Sequence, residues 1–158
     1  MKFGISHLLA GLLRPAWLAL AGLIMLAACS PKTTEPPAIR VEKAFARIVP
    51  VAGTAAVYFT LYNDGGPDRL IGVSSPDAKI AMVHESREEK GMMRMHARPE
   101  LEIPAHGEVH FAPGGLHVML QGVKDAESRR AIVITLHFAG HPDIRVSTPV
   151  RPFGTQGS

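Results

Sequence analysis

Ala131-Ile132-Val133-Ile134-Thr135-Leu136-His137-Phe138 runs through four β-branched residues in succession and contains no glycine or proline. A stretch of this length and composition predicts a strand, because branched and aromatic side chains fit a pleated surface and eight residues are short for a buried helix. Ala55 to Tyr62 (Ala-Ala-Val-Tyr-Phe-Thr-Leu-Tyr) has the same character and stops at the turn cluster Asn63-Asp64-Gly65-Gly66-Pro67. Shorter runs surround these two: Ile39–Glu42, Ala44–Ile48, Arg69–Ser74, Ala81–Glu85, Met92–His96, Val109–Phe111, His117–Leu120 and Ile144–Val150. Each is bounded by Gly, Pro or small polar residues, the usual material of turns. Glu85 to Lys90 (Glu-Ser-Arg-Glu-Glu-Lys) reads as an exposed hairpin loop, and Lys124 to Arg130 as at most one helical turn. These ten runs, read as about eight or nine short strands once neighbouring runs join, with no long segment of helical period, predict a single all-β domain, a sandwich or a barrel.

The N-terminal segment has a different character. Lys2 and Arg14 precede an apolar run from Trp17 to Ala28, which ends in Leu26-Ala27-Ala28-Cys29. A positive start, an apolar centre and small residues before one cysteine describe an export leader. Leu-Ala-Ala-Cys resembles the lipobox of bacterial lipoproteins, in which the cysteine is acylated and becomes the first residue. The expected organisation is a signal peptide over 1–28, a flexible tether over 29–38, a folded domain over 39–152 and a short tail over 153–158. Ser30 to Pro37 is rich in proline and small polar residues, as an extended tether requires.

The whole chain holds 17 basic and 14 acidic residues; the leader holds Lys2, Arg14 and no acid, which leaves 15 against 14 after processing. A near-neutral domain gives no reason to expect nucleic-acid binding. Cys29 is the single cysteine. A disulfide framework, a cysteine-ligated zinc site and a blue-copper centre are therefore excluded.

His84, Met95, His117 and Met119 remain, spaced as His, ten residues, Met, twenty-one residues, His, one residue, Met. Two imidazoles with two thioethers suit Cu(I): thioether sulfur is soft, and imidazole accepts copper in either oxidation state. Alternation on strands puts residues two apart on one face. Met82 with His84, Met93 with Met95, and His117 with Met119 each form such a pair. Met93 and Met82 are read first as packing residues and second as secondary metal contacts. His106, His110, His137 and His141 read as solvated surface histidines, and His96 points away from Met95.

The four-residue spacing resembles the PCuAC family of periplasmic copper chaperones. Asp68 to Pro76, Gly91-Met92-Met93-Arg94-Met95, Ile103-Pro104-Ala105 and Pro113 to Leu120 resemble that family's segments in the same order. The resemblance covers about residues 40 to 150. It implies a cupredoxin-like Greek-key β-sandwich, a monomer that is not an enzyme and carries Cu(I), and also Cu(II), as cargo in the periplasm. It further implies delivery to cytochrome c oxidase or to another copper chaperone, here from a lipid-anchored position at the membrane. Phe45 stands where many members carry Trp, and the long His- and Met-rich tail of other members, which bears a second Cu(II) site, is missing. Copper scavenging for resistance, and a structural lipoprotein without metal, stay open as alternatives.

Overall fold

The computed structural model describes residues 35–152, so the expected leader, Cys29 and the tail lie outside the described residues. Ten strands follow in order: β1 Ile39–Val49, β2 Thr54–Asn63, β3 Asp68–Ser74, β4 Ile80–Glu89, β5 Met92–Ala97, β6 Leu101–Ile103, β7 Gly107–Phe111, β8 Leu116–Gln121, β9 Ala131–Phe138 and β10 Ile144–Pro149. They form a six-stranded sheet in the order β1-β2-β7-β8-β4-β5 and a four-stranded sheet in the order β10-β9-β3-β6. The chain changes sheet after β2, β3, β5, β6 and β8, which makes the cupredoxin-like Greek-key sandwich. On the edge away from β1, β2 serves two neighbours: Thr54 to Val57 pair with β8, and Phe59 to Asn63 pair with β7.

Several features depart from the expectation, the short strand β6 among them. The run Ile39 to Val49 is one strand, with a register shift between Glu42 and Phe45 and a positive φ at Lys43. This bulge changes which side chains face inward beyond it. The supposed loop from Glu85 is strand as far as Glu89, and the turn is only Lys90-Gly91, both with positive φ. Lys124 to Ser128 forms a turn held by Ser128 and Arg129 amides donating to the Asp125 carbonyl, with no helix.

The two inner faces share one apolar core. Leu61, Val118, Leu120, Ile132, Ile134 and Leu136 have no exposed surface. The buried amide of Asn63 is fully satisfied. Asn63, 1% exposed, donates from Nδ2 to the Gly66 and Pro104 carbonyls and accepts at Oδ1 from the Ala38 and Gly65 amides. That uses the full capacity of its amide. Residues 36–38, assigned above to the tether, are thereby bound to the domain: the Gly66 amide also donates to the Pro36 carbonyl. A Cβ on Gly65 would overlap that same carbonyl. On the other sheet, the Asp143 carboxylate accepts from His137 Nδ1 at 2.7 Å. The Ser74 hydroxyl donates to Nε2 of that ring at 2.8 Å, so the chain of bonds ties β3 to the β9–β10 turn.

Candidate metal centre

β8, β4 and β5 are consecutive neighbours in the six-stranded sheet. Val83 on β4 and Val118 and Leu120 on β8 are buried in the core. Alternation then turns Met82, His84, His117 and Met119 to the outer face. A one-residue slip would bury these four and expose the valines, so the core fixes the register that assembles the site.

Pairing does the rest. His84 lies directly opposite His117, and Met82 directly opposite Met119. Their imidazole centroids are 6.0 Å apart, edge to face. On the other side of β4, Met95 pairs with Ser86, one diagonal step from His84. From there its Sδ comes to 3.0 Å from His84 Nδ1. Two donor atoms that share one metal stand about 3–4 Å apart when each bond is about 2.0–2.3 Å. Met93 lies one step further along the same face, opposite Glu88, and 60% of it is exposed. Met82 is half-buried.

His117 is the buried end of the arrangement, 5% exposed. Its Nδ1 is 3.0 Å from the Gly115 carbonyl. A carbonyl only accepts, so Nδ1 carries a proton and Nε2 is the nitrogen left to donate to a metal. The tight turn before β8 supplies that carbonyl; Gly114 at φ 81° lets the Gly115 amide return to the Ala112 carbonyl. His84 is held below the ordinary imidazole pKa, chiefly by burial and secondarily by the charge of His117. Both effects favour the neutral ring, the form that donates to a metal.

An aromatic wall closes the β2 side. The Tyr58 ring lies 6.4 Å from His117 and 5.1 Å from Phe45, and the Arg151 guanidinium covers Phe45 at 4.8 Å. Burial raises the Tyr58 pKa and the charge of Arg47 opposes it. Sequence reasoning missed Tyr58, because an aromatic residue inside an apolar strand reads as core; the alternation of Val57 and Phe59 inward was the available signal. His96 turns to the opposite face, as expected, where it meets Glu89 at 2.8 Å. Among the described residues, no three His, Cys, Asp or Glu side chains gather, so the His–Met cluster is the candidate.

The profile of the family described as "Putative lipoprotein LpqE-like" matches residues 39–150. "Putative lipoprotein Lxx21020" of Leifsonia xyli subsp. xyli is 31% identical over 141 residues, 85% of each chain. Among solved structures, the copper-bound PCuAC domain of PmoF2 is similar at TM-score 0.60 and 25% identity, covering 72% of this chain and 92% of that one. The Cu(I) form of DR1885 from Deinococcus radiodurans is similar at TM-score 0.55 and 28% identity, over 79% of this chain and 81% of that one.

Proposed function

Since the chain belongs to the LpqE-like lipoprotein family, we propose that it is an envelope copper chaperone that binds one Cu(I) through His84, Met95, His117 and Met119. The observation that carries this reading is the approach of Met95 Sδ to His84 Nδ1 at 3.0 Å, beside a His117 paired in register with His84. The copper-bound form of one similar domain and the Cu(I) form of another support it.

The cargo is Cu(I), and Cu(II) is a second state that the imidazoles would also accept. His117 is the fixed donor, because the Gly115 carbonyl orients its ring. Met119 completes the set from the next outward position on β8. Thioethers are neutral and form no disulfides, so the site persists in an oxidising compartment. They also yield the ion to a stronger thiolate site, which suits a carrier and not a turnover centre. The acceptor in this reading is cytochrome c oxidase or another copper chaperone. Cys29 carries the lipid, residues 1–28 are the removed leader, and the periplasmic domain hangs from the membrane on the tether as a monomer.

Anaerobic titration of the Cys29→Ser chain with Cu(I) tests binding: one equivalent should bind, and no binding would leave a structural lipoprotein. A deletion strain tests delivery. Oxidase activity should fall at low copper and recover with excess copper, because a carrier changes supply and not the final affinity of the acceptor. Normal activity at low copper with sensitivity at high copper would instead mark scavenging.

A further inference from the structure

β5 is the edge strand of its sheet and every one of its residues is exposed. Met92, Met93 and Met95 expose 56%, 60% and 53% of their surface. Packing does not account for Met93, since the core does not reach it. Edge strands ordinarily carry charged or short polar residues at such positions, which keep the edge from pairing with other chains. Met92 faces the other way, on the side of Arg94 and His96. Met93 shares the outer face with Met95, two residues away, or about 6.8 Å along the strand. Each side chain has three rotatable bonds and one soft donor, so the two sulfurs can meet on a common ion between them.

We propose that Met93 is a relay ligand, a transient thioether donor through which Cu(I) enters and leaves. The inference rests on the copper-carrier reading above and adds to it a path. The site is closed at His117 and on the Tyr58 side, and open at β5. Exchange therefore begins with Met95. Its sulfur keeps its bond to Cu(I) while it turns outward, the Met93 sulfur forms a new bond, and the bonds to the imidazoles and Met119 break. The two thioethers then hold the ion while one thiolate of an acceptor forms the third bond. That thiol gives its proton to water or buffer; copper stays Cu(I) throughout, and no electron moves. Loading from a donor complex is the same path reversed.

The relay predicts a kinetic role without an equilibrium one. Cu(I) affinity and stoichiometry are first measured for the full Cys29→Ser chain and for the same chain carrying Met93→Ala, Met93→Leu or Met92→Ala. Transfer to a Cys-x-x-Cys peptide is then followed by stopped flow. The Met93→Ala and Met93→Leu chains should bind Cu(I) within twofold of the parent and transfer it at least fivefold more slowly, and Met92→Ala should match the parent in both. Parent-like transfer by either Met93 variant overturns the relay, as does equal slowing by Met92→Ala. A large loss of affinity in the Met93 variants also overturns it, by making Met93 an equilibrium ligand. If the parent itself binds no Cu(I), the carrier reading falls first and the relay with it, a result visible in the titration before any transfer is attempted.

Discussion

β8 and β5 flank β4 on its two sides, yet they treat their donors in opposite ways. On β8, His117 is buried, its Nδ1 is tied to a backbone carbonyl, and Val118 and Leu120 anchor the strand in the core. On β5 no residue is buried, and the inner-face partners are the surface ion pair Arg94–Glu89 and the His96–Glu89 contact. Such pairs contribute about 0–1 kcal/mol each. One side of the candidate site is thus a buried template and the other an exposed arm. This is the division a carrier needs: preorganised donors hold the ion, and an accessible donor gives it up.

The sharpest way to break this contrast is to remove the template. His117→Ala should weaken Cu(I) binding by more than the roughly 10–100-fold that loss of a supporting partner produces at metal sites. It should also lower stability by about 1–3 kcal/mol, because a buried, hydrogen-bonded ring is lost. Chelator competition and urea unfolding read the two effects. Met95→Ala removes the arm. Affinity should drop by about 10–100-fold, while unfolding stays within about 0.5 kcal/mol of the parent, as for other exposed positions. A stability loss like that of His117→Ala would show that β5 is no loose arm.

Met82→Ala is expected to have a smaller effect on copper. Met82 is half-buried opposite Met119, so unfolding should be easier by about 1 kcal/mol. Cu(I) affinity should stay within about threefold, under 1 kcal/mol. A larger loss of affinity would make Met82, and not Met119, the second template donor.

The smallest effect is in protonation. His84 should titrate by NMR in the apo protein below the ordinary imidazole value of about 6.5, since burial and then His117 both oppose its charge. A depressed pKa means that the unfolded chain binds the extra proton first. This contribution to stability is present above the unfolded pKa and is lost as pH falls through the folded one. An ordinary midpoint would contradict the partly desolvated setting of the template.

Much of this contrast was legible in the sequence. Alternation fixed the outer face of β8 and the inner half of β4, because core valines and leucines interleave with the candidate donors. It failed for Glu85 to Glu89. There the hairpin runs past the cover of the other sheet: Arg87, Glu89, Arg94 and His96 lie on the inner-parity face and are exposed. A strand polar on both faces has no hydrophobic period, so it reads as loop. Leu101 to Ile103 is too short to show a period at all. The Lys43 bulge leaves no compositional mark, and Met93 reads as packing because a methionine carries no sign of whether the core will reach it. The pairing of His84 with His117 was beyond reach, since spacing along a chain does not give strand register.

The most direct test of the central claim is X-ray absorption at the copper edge of the Cys29→Ser chain loaded with one Cu(I). That chain contains no cysteine, so every sulfur neighbour of the metal must be a thioether. A mixed shell of nitrogen and sulfur, with the sulfur signal reduced in Met95→Ala, is the predicted result. A shell of nitrogen and oxygen alone would contradict a site built from His84, Met95, His117 and Met119.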